Sequence, residues 1–472
     1  MIRRIVAKDI LENVLSLRFM LSMVLIVSLF AAGGVVFLSR YQKQSQDYWR
    51  QTNENLSALR EPASKLYKLA FYEQKALCRP KPLAFCADGF EKSLPSRITF
   101  NIFSSELPAM EGRSNFVLPH FSDMDWAFIV SLILSFVALV FTYDGLCGEK
   151  ETGTLALMLA GAVPRHAVLL GKYFAAMITL GIPLVIGLLI SLMVVGLSKE
   201  IALQLSDWFR IAIILLLSLL YLSMFVLLGL FVSGRTAHSA NAMVILLLAW
   251  VGLVILIPSF GRVISDVSAR SLTQMELQRK LDETGKQIWD NSDKFGKNAG
   301  SMGWDPSWPG NNPPARARLQ MALTDARNQI MDEQHNRLLA QVFAGRNFTC
   351  FSPTVVYQRA SEAVAGTGIS HCASLWQQVK QYQADLSQYV CTEDAGDPES
   401  LHLIFNEEGC AQGWKAISHK AVDFDAVPKF QERDPAIGQS LKLAVWDIGL
   451  LVLFNLAFFA AAWISFMRYD VR

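Results

Sequence analysis

The sequence predicts a mainly α-helical, polytopic membrane protein with six transmembrane helices and a large, mostly helical extracytoplasmic domain. Two observations predict this class. Hydrophobic residues make up 52% of the 472 residues, and apolar runs of about 20 residues, long enough to cross a bilayer, recur along the chain. The formal net charge of +2 says nothing about nucleic acid, but the sequence has no concentrated basic patch, so no nucleic-acid partner is expected.

Six apolar runs are the predicted transmembrane helices: Phe19–Leu38, Trp126–Tyr143, Tyr173–Leu197, Trp208–Ser233, Ala240–Ile257 and Leu443–Met467. The first run is longer than the core of a signal peptide and is expected to remain as an anchor. Basic residues before the first run, in the short loops and after the last run predict that both termini are cytosolic. These residues are Arg3, Arg4, Lys8, Lys150, Arg165, Arg235, Arg468 and Arg472.

This orientation divides the chain into five segments. They are 1–38, with a cytosolic element and the first span; 39–125, extracytoplasmic; 126–260, with spans two to five and a cytosolic stretch at 144–172; 261–442, a large extracytoplasmic helical domain; and 443–472, with the sixth span and a cytosolic tail. Long segments cross the membrane largely regardless of their charge, so the basic residues in 39–125 and 261–442 do not oppose this topology.

The two long segments are expected to be helical. Tyr48–Tyr72 is polar with scattered apolar positions. In the larger segment, Arg270–Ile288 and Leu319–Ile330 have apolar residues at helical spacing, and Asn298–Pro314 between them is rich in Gly, Pro and Asn. This pattern predicts a long helical hairpin. Ser352 before Pro353 predicts the start of a further helix, and no alternating pattern predicts a large sheet.

Cysteine placement indicates disulfides. Cys147 falls in the cytosolic stretch, whereas Cys78, Cys86, Cys350, Cys372, Cys391 and Cys410 all fall in the segments expected outside. An even number of cysteines in an oxidising compartment favours disulfides. We expect a local bridge between Cys78 and Cys86 and two bridges among the other four, with their connectivity open.

A metal site is the alternative for some of these cysteines. It would use His371, Cys372, Cys391, His402 and Cys410. Their spacings match no standard zinc pattern, so disulfides are the preferred interpretation and no metal site is predicted.

Polar residues within the spans are few. An unpaired charge near the bilayer centre costs about 3 kcal/mol, so Asp447 and Asn455 are candidates for an intramembrane polar site. Asp447 lies near the outer end of its span, where a paired or hydrated interfacial carboxylate is the better interpretation. Asn455 lies deeper, where a hydrogen bond between helices is expected. No nucleophile–base pair is recognisable, so the chain is not predicted to be an enzyme.

One stretch resembles a phosphate-binding loop. Gly229 to Thr236 places two glycines before Arg235 and Thr236, but Arg235 replaces the required lysine and the stretch ends an apolar span. Any nucleotide is therefore expected to bind another polypeptide.

The stretch Asp144–Lys172, between the second and third spans, carries the richest pattern. Acidic and basic residues (Glu149, Lys150 and Glu151) come first, Gly153 allows a turn, and an apolar run follows from Thr154 and Leu155 to Ala160. A break then precedes Arg165. The pattern predicts a short amphipathic helix at the membrane surface.

The order of these residues resembles the signature of ABC type-2 exporter permeases. The matching residues are Tyr143, Asp144, Gly148, Glu149, Lys150, Glu151, Gly153, Thr154, Leu155, Pro164, Arg165, Leu170, Gly171 and Lys172. Two further stretches, Arg79–Leu94 and Ser352–Gly368, are similar to the subgroup with large extracytoplasmic insertions. Together the three stretches cover less than half of the chain.

The resemblance implies a permease of the bacterial inner membrane with an amphipathic N-terminal element, Ile2–Leu17. It implies two separate ATPase subunits that bind ATP and Mg²⁺, and a second permease that is identical or homologous. It also implies that Glu149, Lys150, Glu151, Gly153, Thr154, Leu155 and Arg165 couple to the ATPase. Glu149 and Glu151 would meet basic groups of the ATPase, and Arg165 would lie at the rim of the contact.

Two functions stay open on this basis. The first is export of an amphiphilic, peptide or lipid-like substrate along the dimer interface, in contact with membrane lipids. The second is mechanotransmission, in which ATP moves the extracytoplasmic helices against a periplasmic partner and nothing crosses the membrane. A receptor without ATPase coupling is disfavoured by the coupling motif.

Overall fold

The computed structural model describes residues 2–88, 97–106, 124–160, 164–198, 201–260, 272–300, 307 and 310–468. Of these, the side chains of residues 159, 339, 341–348, 369, 370 and 372 are outside the described set. Of the residues that the structure describes, 76% are helical. The prediction of a mainly α-helical protein with six membrane-spanning helices is confirmed.

The helices, in chain order, are α1 (Ile2–Val14), α2 (Leu17–Leu59), α3 (Leu66–Phe71), α4 (Trp126–Phe128), α5 (Ser135–Thr142), α6 (Cys147–Glu151), α7 (Thr154–Ala160), α8 (Arg165–Gly196), α9 (Leu205–Arg235), α10 (Ser239–Trp250), α11 (Gln274–Asp290), α12 (Pro313–Phe348), α13 (Pro353–Ala365), α14 (Ile369–Ala395), α15 (Glu408–Gly413) and α16 (Ile437–Met467). Two π-helical segments, Ile129–Leu134 and Val251–Leu256, continue α4 and α10. The strands are β1 (Gln74–Leu77), β2 (Arg97–Phe100) and β3 (Ser105–Glu106).

Among the described residues, six helices are long and apolar enough to cross a membrane: Leu17–Ser64, Trp126–Glu151, Arg165–Gly196, Leu205–Arg235, Ser239–Phe260 and Ile437–Met467. Most extend beyond their predicted apolar cores, because a helix continues past the hydrocarbon wherever its polar residues can be solvated. Helix α2 is the extreme case. Its 43 residues span roughly 65 Å at 1.5 Å per residue, about twice the thickness of the hydrocarbon core.

The spans pack into one bundle. Helix α8 lies against α1 and α2, and α9 lies against α5 and α16. Gly229 on α9 permits a close approach to α5, because a Cβ at this position would overlap Thr142 Oγ1. We call the end of the bundle that holds α1, α6, α7 and Met467 the proximal end, and the opposite end the distal end.

The region beyond the distal end combines a small sheet with helices. Strands β1, β2 and β3 form an antiparallel sheet in that order, with Gln74 opposite Phe100 and Thr99 opposite Glu106. Ile98 and Phe100 pack with Trp376 and Val379 of α14. The neighbouring cluster joins the end of α2 to α14 through Leu59, Leu66, Leu69, Phe103, Leu386 and Val390.

Helices α11 and α12 form the predicted hairpin. Lys280 Nζ on α11 lies 2.7 Å from Glu333 Oε2 on α12. Gln334 Nε2 donates to the Leu272 carbonyl at 2.9 Å and its Oε1 accepts from the Leu272 amide at 3.1 Å. Part of the predicted break between the two helices, residues 301–306 and 308–309, lies outside the described residues.

Helix α13 begins as predicted, with the Ser352 hydroxyl accepting from the Val355 amide and Pro353 in the first turn. Its position was not predicted, because it packs inside the bundle rather than with the hairpin. The Tyr357 ring stacks on Tyr221 of α9 at 4.7 Å, and Tyr357 Oη lies 2.7 Å from Ser218 Oγ. The chain between the fifth and sixth spans therefore re-enters the distal half of the bundle.

Both polar residues of the last span have partners. Asp447 is buried, and its Oδ1 lies 2.7 Å from Arg359 Nη2 on α13. The sequence favoured a paired or hydrated carboxylate at this position, and the structure has the paired one. Asn455 Nδ2 donates to the Leu220 carbonyl of α9 at 2.9 Å, so the predicted hydrogen bond between helices is confirmed.

The expected disulfides are not what the structure shows. Cys86, Cys391 and Cys410 are free thiols, so neither the local bridge from Cys78 to Cys86 nor two bridges among the other four cysteines form. The reason is placement. Cys86 is buried in the core of the bundle, whereas Cys78 packs beside the sheet and Cys410 packs against Trp414 in a separate cluster. The side chain of Cys372, the sixth member of the set, is outside the described residues.

Burial also disfavours the thiolate form of two of these cysteines. It raises the pKa of Cys86 well above its usual range, and it raises the pKa of Cys410 to about 12. Of the alternative metal set, Cys391 is exposed and His402 Nδ1 lies 3.0 Å from Asp394 Oδ2, while the side chain of Cys372 is outside the described residues.

Candidate functional site

The stretch between the second and third spans folds as two short helices at the proximal end. The amides of Leu146 and Cys147 both donate to Ser233 Oγ at 3.0 Å, which fixes the start of α6 to the end of α9. The chain then turns through Gly153, whose φ of 72° lies in the left-handed region that glycine tolerates. Helix α7 begins at Thr154. The predicted turn and the start of the short helix are therefore confirmed.

Glu149 faces the interior of the protein. Its Oε1 lies 2.5 Å from Lys172 Nζ on α8, and the same ammonium lies 3.3 Å from Asp9 Oδ2 on α1. The Asp9 side chain is 8% exposed, the Lys172 side chain 12% and the Glu149 side chain 17%. One buried lysine thus joins α6, α8 and the N-terminal helix.

Lys150 binds the end of α9. Its Nζ lies 2.5 Å from the Gly234 carbonyl, 3.1 Å from the Thr236 carbonyl and 3.4 Å from the Ser233 carbonyl. The last carbonyls of a helix lack partners within the helix and carry partial negative charge, so an ammonium group is favourable there.

Glu151 binds the start of α10 in the complementary way. Its Oε1 accepts from the Ser239 amide at 2.8 Å, and its Oε2 accepts from the Ser239 hydroxyl at 3.0 Å. The first amides of a helix need acceptors and carry partial positive charge, so a carboxylate is favourable at this end. Consecutive charges of α6 therefore bind the facing ends of two successive spans.

Two further charges connect the proximal ends of other spans. Arg165 Nη1 donates to the Met467 carbonyl at 2.8 Å, which joins the start of α8 to the end of α16. Arg18 Nη1 donates to Asp144 Oδ2 at 2.8 Å, which joins the start of α2 to the end of the second span. The sequence suggested that Glu149 and Glu151 meet basic groups of a partner, with Arg165 at the rim. In the structure these side chains bind groups of their own chain, because helix ends and Lys172 lie within reach, and their contact with a partner stays a prediction.

The outer face of α7 is left exposed. Leu157 is 81% exposed, whereas Leu155 two residues earlier is 1% exposed and belongs to the core of the bundle. Thr154, Ala156 and Ala160 are exposed as well. Leu157 lies three residues after Thr154, and Ala160 lies three residues after Leu157 and four after Ala156. Residues at these spacings are neighbours on the surface of a helix, so the four side chains share one side of α7. We call Thr154, Ala156, Leu157 and Ala160 the α7 face.

Sequence reasoning missed two members of this site. Lys172 was placed in the motif without a role, and Asp9 was placed only in the N-terminal element. The sequence feature that could have identified Asp9 is its acidic side chain among the basic residues of a helix expected at a membrane surface. Its partner was not visible, because 163 residues separate Asp9 from Lys172 in the chain.

The fold and this site define a multi-span helical membrane protein whose proximal surface segment is tied to the ends of its spans. Comparison with protein families identifies the group. The model of the ABC-2 family transporter proteins matches residues 3–471, and the chain belongs to that family. It is therefore a membrane transport component and is not itself catalytic. Comparison with curated proteins gave no match.

Proposed function

We propose that the chain is the permease subunit of an ATP-driven ABC exporter, located in the bacterial inner membrane with its proximal end in the cytosol. Two separate ATPase subunits bind ATP and Mg²⁺, and they press on the α7 face of this permease and of a second, identical or homologous permease. The observation that carries the proposal is the contrast within α7, where Leu155 is 1% exposed in the core of the bundle and Leu157 is 81% exposed.

The contacts of α6 give a route for the movement. A push on α7 reaches α6 across the turn at Gly153, and α6 is bound to α8 through Glu149, to α9 through Lys150 and to α10 through Glu151. Arg165 extends the connection to α16. Because each link is a charged group bound to a helix end or to a buried lysine, the proximal ends of these spans would move together.

Binding of nucleotide by a partner is supported by the conformation of the glycine-rich stretch. Gly229 lies within α9 against Thr142, and the Gly234 carbonyl accepts from Lys150. Backbone amides within a helix already donate to carbonyls four residues earlier, so they cannot cradle a phosphate. The stretch therefore closes a span and offers no phosphate loop.

An amphiphilic or lipid-like substrate suits the surface of the spans. In the apolar windows of Ser239–Phe260 and Ile437–Met467 only 17% of residues are buried within the chain. Large apolar side chains remain exposed there, among them Leu248, Leu453 and Leu456. These faces would contact a second permease and membrane lipids, and a substrate with a long apolar part could move along them.

Mechanotransmission is the second candidate, and two observations favour it. Helix α2 runs without interruption from the proximal end to Leu59, which is 4% exposed in a core cluster beyond the distal end. Helix α13 lies inside the bundle and follows directly after the hairpin helix α12. Movement of the spans would therefore move the distal region, where a periplasmic partner could be contacted.

The test uses the full chain purified from native membranes with its associated ATPase and reconstituted in liposomes. The expected result is co-purification of an ATP-binding subunit and an ATPase activity that falls in the Leu157→Asp variant. The matched control is Leu401→Asp, which changes another exposed leucine, in the region beyond the distal end. Wild-type assembly and activity in Leu157→Asp would contradict the proposal.

The same liposomes separate the two functions. ATP-dependent movement of a labelled lipid or amphiphile between leaflets supports export. ATP-dependent changes in distance between spin labels on α11 and α14, with no movement of substrate, support mechanotransmission.

A further inference from the structure

A cluster of three metal-binding side chains lies beyond the distal end, outside the spans. The thiol of Cys78, the imidazole of His371 and the carboxylate of Glu432 each place one donor atom within 4.8 Å of the other two. We propose that Cys78, His371 and Glu432 bind one divalent transition-metal cation, with Zn²⁺ as the preferred ion.

The donor set fits this chemistry. Thiolate sulfur, imidazole nitrogen and carboxylate oxygen are the three ligand types that proteins use for Zn²⁺, at about 2.0–2.3 Å from the metal. Two ligands of one tetrahedral ion therefore lie about 3–4 Å apart. His371 Nε2 lies 2.7 Å from Glu432 Oε1, and the donor atoms of the cluster are all within 4.8 Å. Shifts of about 1 Å bring the three donors to coordination distance.

The ligands are held by different parts of the fold. Cys78 follows β1, His371 lies in the first turn of α14, and Glu432 lies in the loop that leads to α16. The loop is pinned to α14, because Gln378 Oε1 accepts from the Arg433 amide at 2.8 Å and its Nε2 donates to the Arg433 carbonyl at 3.1 Å. His371 and Glu432 are thus placed side by side before any ion binds.

Surrounding groups orient the carboxylate. The Arg79 amide donates to Glu432 Oε2 at 2.8 Å. Lys81 Nζ lies 2.5 Å from Glu432 Oε1 and also contacts Asp434 Oδ1. The Lys81 side chain is 6% exposed and the Glu432 side chain 4%. Outer contacts of this kind fix metal ligands in place and are costly to remove.

The charge of the site also favours a cation. Lys81 supplies one positive charge, and Glu432 and Asp434 supply two negative charges. A divalent ion that binds the Cys78 thiolate, with the thiol proton released to solvent, brings the whole group to neutrality. In that state the ion binds Glu432 Oε1 in place of Lys81, and Lys81 keeps its contact with Asp434. A metal here would join β1, α14 and the segment that enters the last span.

The proposed metal site lies close to two spans, and its effect on them does not depend on the proposed function. The loop with Glu432 precedes α16 by only a few residues, and Arg210 Nη2 on α9 donates to the Pro435 carbonyl at 2.7 Å. A bound ion would therefore stiffen the connection between the distal region and two spans.

The test is metal binding by the purified full chain in detergent, after removal of bound metal with a chelator under mildly reducing conditions. Titration with Zn²⁺ should give one ion per chain and raise the melting temperature. Co²⁺ should give the absorption bands of a tetrahedral thiolate site. Cys78→Ser should weaken Zn²⁺ binding by at least 100-fold, which is more than the loss typical when a residue that only hydrogen-bonds to a metal ligand is replaced. His371→Gln should do the same.

Two matched controls accompany these variants. Cys391→Ser changes an exposed cysteine, and His402→Gln changes a histidine that binds Asp394. Both should bind Zn²⁺ as the wild type does. Circular dichroism of each metal-free variant establishes that it is folded. Equal Zn²⁺ affinity in Cys78→Ser and Cys391→Ser would overturn the proposal. So would the absence of stoichiometric binding by the wild type, or a disulfide at Cys78 that persists under the reducing conditions.

Discussion

Replacement of Leu157 tests the role of the α7 face. Leu157 is 81% exposed in the chain alone, so its substitution removes little packing from the permease itself. Full burial of a leucine side chain is worth about 1.5–3 kcal/mol, at about 0.8 kcal/mol for each methylene group. Leu157→Ala should therefore cost about 2 kcal/mol of binding energy if a partner covers the side chain, which is roughly a 30-fold weaker complex.

Leu157→Asp should have a larger effect. It removes the same apolar contact and places a charge without a partner in the interface, where such a loss can reach about 2–5 kcal/mol. The complex should then fall apart at working concentrations, while the melting temperature of the isolated permease stays within about 2 °C, as expected for a surface change.

The assay is the affinity of the ATPase for each purified permease variant, measured in detergent or nanodiscs together with ATP hydrolysis. Leu401→Ala and Leu401→Asp are the controls, since Leu401 is 47% exposed and lies beyond the distal end. Wild-type affinity in Leu157→Asp would refute the reasoning. A fall in affinity that is equal for the Leu401 variants would refute it too.

Three further predictions follow from contacts within the chain. Lys172→Met leaves Asp9 and Glu149 without their cation and should lower the free energy of unfolding by about 3–5 kcal/mol, measured as faster proteolysis of α1. The control Lys8→Met, at a surface ion pair, should lower it by at most about 1 kcal/mol. Gly229→Ala should lower stability by about 1–3 kcal/mol through overlap with Thr142, whereas Gly252→Ala, which faces open space, should have little effect. Maleimide should label the exposed Cys391 quickly and Cys86 only after denaturation; equal rates would contradict the burial of Cys86.

The spans were predictable because hydropathy is a local property. Each of the six apolar runs in the sequence corresponds to a helix long enough to cross a membrane. Their ends were less predictable, and α2 continues to Leu59 because a helix can continue past its apolar run where its polar side chains are solvated. The position of α13 was also beyond the sequence pattern. Its cap at Ser352 was visible, but the stacking of Tyr357 on Tyr221 joins residues far apart in the chain.

The candidate site was predictable in outline only. The order of charges, the turn at Gly153 and the apolar run after it indicated two short helices at a membrane surface. The directions of the side chains depended on tertiary placement. Lys150 and Glu151 are adjacent in sequence but bind the end of one span and the start of the next. The charges of α6 therefore suggested a partner interface. In the structure they bind groups of the same chain, and the exposed side chain is that of Leu157.

Site-specific photo-crosslinking at position 157 tests the central claim most directly. A photoreactive amino acid is placed at 157 in the full permease, with position 155 as the control because Leu155 is 1% exposed. The claim predicts an ATP-sensitive crosslink from 157 to the ATPase subunit and none from 155. Crosslinks from 157 only to lipid or to the permease itself would contradict it.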